Sequence, residues 1–241
     1  MRKRLFIVGM LVFVYMLITS KDAYAANVSN QDEFIRALNG SDSTITISTS
    51  INFTKAITVK RSVTINAGSN ENAIRWQGSG SFITINNGGN LTIGNIVVDV
   101  RSYKSSAGIS CIDIKNGGIL NTSGFLLDGG TSNVGVLIES GGSFNMGRGN
   151  IVYCNKGIRC TGSGKLTFTS TSETAFWNNT IAVSFEDWSG TCAFNKSNIK
   201  IRNNTHGILM NSGTGTVTIS AGSYYSNSSV GVHCRAGTVN I

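Results

Sequence analysis

The chain has no proline, and it is poor in aromatics and charge. Phe, Trp and Tyr make up 8% of its 241 residues, and Asp, Glu, Lys and Arg together 13%. Without proline, turns fall to glycine, asparagine and serine, and 29 glycines are present. No long helical period appears beyond residue 40, which argues against a helical domain. After the first 25 residues, no segment is apolar enough to span a bilayer. No Lys/Arg cluster interleaves with aromatics, so a nucleic-acid partner is not expected. His206 and His233 lack a Cys or acidic partner at metal-ligand spacing, and nothing resembles a zinc site. Low charge and richness in Gly and Ser can mark disorder. Here regular runs of Ile, Val and Leu argue against it, because they bury enough apolar surface to offset ordering.

Residues 1–25 read as a secretory signal peptide. Arg2, Lys3 and Arg4 precede a 14-residue apolar core at 5–18, and Ala23-Tyr24-Ala25 fits a small-x-small cleavage site. The alternative is an uncleaved membrane anchor, for which the core is short. Cleavage leaves 26–241 as one domain. The formal charge of +8 becomes +5, since four basic residues and one acidic residue fall in the leader. A dispersed positive charge favours contact with anionic wall polymers or acidic polysaccharide.

What is present is repetition. "ITINNGGNLTIGNIVVDV" at 83–100 is echoed by "IDIKNGGILNTSGFLLDGG" at 112–130 and "VLIESGGSFNMGRGNIVYC" at 136–154. The apolar residues just after the turns are Val63, Leu91, Leu120, Phe144, Leu166, Cys192, Val217 and Val239. They are spaced by 28, 29, 24, 22, 26, 25 and 22. A second landmark, Gly108, Gly135, Gly157, Ala182, Gly207 and Gly231, keeps step at 27, 22, 25, 25 and 24. Short strands at this period predict a parallel β-solenoid with coils stacked at about 4.8 Å. Roughly seven to eight coils make a rod about 35 Å long. Leucine-rich repeats lack support because their Leu/Asn consensus is absent. An antiparallel sandwich has no reason to repeat at this period.

"VSNQDEFIRALNG" at 28–40 predicts a short capping helix. Ser29 or Asn30 is the N-cap, with Asp32 or Glu33 reciprocating; Phe34, Ala37 and Leu38 share a face, and Gly40 ends the element. It would cover the open N-terminal end of the solenoid. No such cap is visible at the other end, where "GTVNI" lies inside a repeat. That predicts a truncated chain or a following module.

With Glu33-Phe34 and Ala37-Leu38 leading into "TITISTSINFTKAITVKRSVTINAGS" at 44–69, the chain resembles the right-handed parallel β-helix of the pectate-lyase-like superfamily. The closest likeness is to the pectate-lyase-like adhesive domains of Gram-positive surface proteins. The resemblance implies a right-handed coil and a secreted, wall-associated protein that contacts polysaccharide or a host surface. Fold alone does not license an activity. An active pectate lyase of this superfamily would carry a Pro-bearing Arg motif, which a proline-free chain cannot have. A polygalacturonase would need an Asp-Asp pair, which is absent, and His206-Gly207 lacks that family's partner motifs.

The catalytic candidates are two carboxylates. Asp99 and Asp128 each lie eight residues after an anchor, Leu91 and Leu120, so they should share a column in adjacent coils. Such a pair can bind Ca²⁺ or split its pKa values for acid/base work. The same count puts Val152 and Thr174 next in that column, so no third carboxylate joins, and two donors fall short of what Ca²⁺ prefers. Two solvated carboxylates are the plainer reading. Glu186-Asp187 point to opposite faces of a strand, which suits a solvated edge.

Of five cysteines, Cys111, Cys160, Cys192 and Cys234 fall at apolar positions of the repeat and read as small core residues. Cys154 falls in a Ser/Asn column with Ser105, Ser132, Asn179, Asn204 and Ser228 and reads as a turn thiol. Asn178-Asn179 and Asn203-Asn204 recur at matching turns and suit a stacked ladder.

Five residues back from the Gly landmark, allowing one-residue shifts, lie Tyr103, Tyr153, Trp177, Arg202 and Tyr225. Aromatic faces stack on sugar rings and Arg pairs with a uronate or phosphate. The competing reading is that several of these rings pack under turns. The sequence therefore predicts a secreted adhesive module that binds polysaccharide along one side, without resident metal or cofactor. The alternatives are a lyase or hydrolase using Asp99 and Asp128, and a structural spacer.

Overall fold

The computed structural model describes residues 24–69, 72–101, 109–131 and 133–241. The signal-peptide reading at 1–23, Tyr103, Ser105, Gly108 and Ser132 lie outside the described residues. The chain is a parallel β-solenoid of about 8 turns with one helix.

The N-terminal strand β1 (Ala25–Val28) leads into α1 (Gln31–Asn39). Asn30 is the N-cap: its Oδ1 accepts from the Glu33 amide at 3.0 Å, while Glu33 Oε2 accepts from the Ser29 amide at 2.8 Å. This reciprocal pair satisfies donors that a helix start leaves open. Gly40 closes the other end by donating to Arg36 and Ala37 carbonyls. Phe34, Ala37 and Leu38 turn inward, and the Phe34 ring meets Phe53 edge-on at 5.1 Å. The helix thus lies over the first coil, as its amphipathic pattern predicts.

Each coil then supplies three short strands, one to each of three faces. On face A, β2 (Thr44–Ile47), β5 (Ser62–Ala67), the first half of β8 (Asn90–Asp99), the first half of β10 (Ile119–Asp128), β12 (Ser143–Met146) and β15 (Lys165–Phe168) follow one another. The series resumes with β18 (Thr191–Phe194), β21 (Thr216–Ile219) and β24 (Thr238–Asn240). Face B comprises β3 (Ile51–Phe53), β6 (Ala73–Trp76), the second halves of β8 and β10, then β13 (Gly149–Val152), β16 (Thr174–Trp177), β19 (Ile199–Arg202) and β22 (Ser223–Tyr225). Face C runs through β4 (Ile57–Val59), β7 (Ile83–Ile85), β9 (Ser110–Ile114) and β11 (Val134–Ile138). It ends in β14 (Lys156–Gly162), β17 (Ile181–Trp188), β20 (His206–Met210) and β23 (Val230–Cys234). Among the described residues, these strands pair in parallel.

Like stacks on like inside. Val63, Leu91, Leu120, Phe144 and Leu166 pair in register on face A, and Cys192, Val217 and Val239 do so after a break. Six of the seven anchor steps read from the sequence are therefore ladder pairs. The Leu166–Cys192 step is not, because β15 and β18 do not pair. Face B stacks Ile74, Val98, Leu127, Ile151, Phe176, Ile201 and Tyr224, and face C stacks Ile112, Val136, Ile158, Val183, Ile208 and Val232. Each large inward side chain contributes about 1.5–3 kcal/mol by leaving water. A coil alone has nothing to bury it against, which is the reason for the repeat.

The second landmark has a steric cause. A Cβ on Gly135 would stand 2.5 Å from the Gly157 carbonyl oxygen, and one on Gly157 would stand 2.5 Å from that of Ala182. The register corrects its first step. Gly135 lies between Val134↔Ser110 and Val136↔Ile112, so it faces Cys111. Cys111 is thus not in the Cys160 column, which runs Ile114, Ile138, Cys160, Phe185, Met210 and Cys234. Two thiol assignments exchange places. Cys154 is enclosed, whereas Cys234 is exposed. All five cysteines are free thiols.

Candidate functional site

The outward residues of face B bring the two candidate groups into one column. Asn52, Arg75, Asp99, Asp128, Val152, Trp177, Arg202 and Tyr225 are successive register partners. The count from the anchors places Thr174 after Val152, but Thr174 pairs with Gly149, and Trp177 takes the position. The connection from β15 to β16 is longer than in the preceding coil, which shifts the count by three. The carboxylate pair and the aromatic stripe are therefore two ends of one line.

At the N-terminal end, Asp99 and Asp128 are both buried, and Arg101 joins them. Its Nε donates to Asp99 Oδ1 at 3.0 Å and its Nη2 to Asp99 Oδ2 at 2.8 Å, while Nε lies 3.5 Å from Asp128 Oδ2. Arg75 Nε stands 3.8 Å from Asp99 Oδ2. The plain reading of two solvated carboxylates is thus replaced by a fork-shaped ion pair. Calcium does not fit this pair: a guanidinium already holds both Asp99 oxygens, where a divalent ion would need them. Among the described residues, no group of three or more His, Cys, Asp or Glu side chains is placed to hold a metal ion.

The two carboxylates titrate in opposite directions. Burial raises Asp99, but hydrogen bonds and charge from Arg101, with Arg75 behind, outweigh it and leave the pKa lowered. Burial also raises Asp128, and the nearby Asp99 charge adds to it, so that its pKa stays raised despite Arg101 and the Gly130 amide. Asp99 therefore stabilises the fold above its unfolded pKa of about 4, and that contribution is lost as pH falls through its lower folded value. Asp128 has the opposite sign: its contribution is complete below its unfolded pKa and is lost as pH rises through its folded value. Asp99→Asn is expected to destabilise at neutral pH, and Asp128→Asn to be neutral or stabilising. Urea midpoints at pH 7 and at about pH 2 check this, because the gap between the variants should close in acid.

At the C-terminal end, Tyr153, Trp177, Arg202 and Tyr225 form a continuous edge. Tyr153 is in the left-handed region at φ 53°, immediately after Val152, and its ring meets Trp177 edge-on at 5.4 Å. The Arg202 guanidinium lies over the Trp177 ring at 5.8 Å, a cation–π distance. Arg202 Nε has no hydrogen-bond acceptor among the described residues. Tyr153 and Tyr225 are exposed at 37% and 47%, so these rings do not simply pack under turns. Trp177 and Arg202 are half-buried, held in place yet open on one side.

Behind this edge, at the turn from face B to face C, runs a polar groove of about 520 Å³. Tyr153 forms one wall, with Asn178, Thr180, Asn203, Thr205 and Ser226 along it. Its floor is an asparagine ladder. The Cys154, Asn179 and Asn204 amides donate in turn to Oδ1 of Asn179, Asn204 and Asn227, at 2.9, 3.0 and 3.1 Å. Nδ2 of Asn179 and of Asn204 also donates to the next asparagine's Oδ1, each at 3.0 Å. Asn227, not Ser228, continues the column, and Cys154 begins it. The ladder fixes the spacing of the residues above it.

The other sequence candidates fall elsewhere. Glu186 is not a solvated edge residue: it accepts from Lys156 Nζ at 2.6 Å and pairs with Arg159 Nε at 2.8 Å on face C, while Asp187 is exposed. His206 and His233 pair with Val230 and Leu209, so they do not align, although their rings lie nearly parallel with centroids 6.4 Å apart. Compared with known protein families and with curated proteins, the chain matches none. No helix among the described residues is long and apolar enough to cross a membrane.

Proposed function

We propose that this protein is a secreted, wall- or surface-associated module that binds extended polysaccharide along face B without cleaving it. It acts as an adhesive or anchoring element related to the pectate-lyase-like adhesive domains. The observation that carries this reading is the in-register edge of Trp177, Arg202 and Tyr225, with Tyr153 against Trp177. These side chains repeat at the coil spacing of about 4.8 Å, comparable to the length of one sugar ring in a chain. Aromatic faces take the apolar faces of the sugars. The half-buried Arg202 guanidinium, held over Trp177, supplies the charge for a carboxylate or phosphate, and the amides and hydroxyls of the adjoining groove take ring hydroxyls. A spacer would have no use for a half-buried Trp–Arg stack facing water.

A second reading, a lyase or hydrolase, is favoured by one observation: Asp99 and Asp128 share the column, carry opposite pKa shifts and have Arg101 beside them. Product analysis separates the two. The protein is incubated with pectic, wall and host polysaccharides, with and without calcium, and new chain ends are sought by mass spectrometry. Retention on a polysaccharide with no new ends is the expected result. New ends that vanish in Asp99→Asn would make the protein an enzyme.

A further inference from the structure

Face A is interrupted once, and the interruption is built by one side chain. In the preceding coils, the first amide of each strand donates to the carbonyl that precedes the strand one coil back. The series is Asn90 to Arg61, Ile119 to Gly89, Ser143 to Gly118 and Lys165 to Gly142, at 2.9–3.1 Å. It resumes with Thr216 to Gly190 and Thr238 to Gly215, both at 3.0 Å. The missing member is Thr191 to Gly164. There the Gly164 carbonyl accepts from the Trp188 indole Nε1 instead, at 2.7 Å.

Trp188 gets there through a bulge. Thr161 pairs with Glu186 but Gly162 pairs with Trp188, so Asp187 is an extra residue, in the left-handed region at φ 48°. A bulge of this kind re-aims the next side chain. The indole is fully buried, packs on Phe185 at 4.3 Å, and has room because Gly190 lacks a side chain: a Cβ there would stand 2.9 Å from the ring. With the indole in the ladder position, β15 pairs only with β12, and β18 only with β21.

The result is a cleft of about 390 Å³ between β15 and β18. Its floor is Leu166, Phe168 and Cys192. Lys165 and Lys196 stand on its walls with Thr191 and Asn195. No carboxylate lines it, and neither lysine is in an ion pair among the described residues.

We propose that this cleft is a second binding site, on a different face from the Trp177 edge, and that its ligand is an acidic oligosaccharide. Its acid groups pair with the ammonium groups of Lys165, at the start of β15, and of Lys196, just past the end of β18. Sugar hydroxyls meet Thr191, Asn195 and the unladdered main chain of β15 and β18. The apolar face of a ring covers Leu166 and Phe168. This assignment does not rest on the function proposed for face B.

The test is calorimetric titration with a uronic-acid oligosaccharide and with its methyl-esterified form. The proteins are the full chain as secreted, Trp177→Ala, and Lys165→Ala/Lys196→Ala, with thermal melts to confirm folding. In the Trp177→Ala background, which removes the face B edge, the acidic form should still bind. The double lysine change should weaken that binding at least about tenfold, as should esterification, the loss expected when charge-assisted contacts go. Acidic and esterified forms that bind alike, binding indifferent to both lysines, or no binding at all in Trp177→Ala would each overturn the proposal. Face B would still be judged by its own variant.

Discussion

Replacing Asn179 by alanine is expected to lower the unfolding free energy by about 3 kcal/mol, a large effect for one polar side chain. Asn179 is 3% exposed and its amide group is fully used. Oδ1 accepts from the Cys154 amide, and Nδ2 donates to the Ile151 carbonyl at 3.1 Å and to Asn204 Oδ1 at 3.0 Å. Alanine leaves a buried amide without an acceptor and breaks the ladder in its middle. Each unsatisfied buried group costs about 1–3 kcal/mol, more than a typical hydrogen bond contributes when both partners are present. Urea unfolding followed by circular dichroism gives the number. A change below about 1 kcal/mol would mean that water replaces the ladder and that it does not set the coil spacing.

The larger loss belongs to Trp188→Ala, expected at about 3–5 kcal/mol. The indole is fully buried against Phe185, and its Nε1 holds the Gly164 carbonyl. Alanine leaves a cavity that the stack closes only by resealing β15 against β18, which needs the Asp187 bulge to straighten. Trp188→Phe, which keeps most of the volume and loses the donor, should cost about 1–3 kcal/mol. The same unfolding assay ranks the two. Equal losses would put the stability in the hydrogen bond and not in the packing.

Much of this architecture is legible in the sequence because one coil's constraint is every coil's constraint. Val63, Leu91 and Leu120 occupy one inward position, so counting between them gives the coil length. The Asn30–Glu33 cap is legible because its geometry is local. What escapes is whatever depends on turn length or on a single insertion. Arg75 belongs to the Asp99 column, but the connection between β5 and β6 is longer than the one inside β8, so no fixed offset from Val63 reaches it. Thr174 was an expected neighbour of Val152 for the same reason, and Trp177 stands there. Arg101 was within reach: two residues beyond Asp99, it keeps to the same side of an extended chain. Trp188 leaves no periodic mark, since it depends on the one extra residue, Asp187, and it breaks the repeat where it stands. Whether a thiol is enclosed also resists sequence reading: Cys234 has the inward register of Cys160 but is exposed.

The most direct measurement of the central claim compares Trp177→Ala with the unchanged protein for equilibrium binding to the polysaccharide that retains it best. Matched melting curves show that the fold is intact. A conservative control, Thr92→Ala on face A, should bind as the unchanged protein does. The account predicts that Trp177→Ala weakens binding at least about tenfold, the loss of a central aromatic anchor worth about 1.4–2 kcal/mol. Unchanged affinity in a folded Trp177→Ala protein would contradict it and take the Tyr153–Trp177–Arg202–Tyr225 edge out of the binding surface.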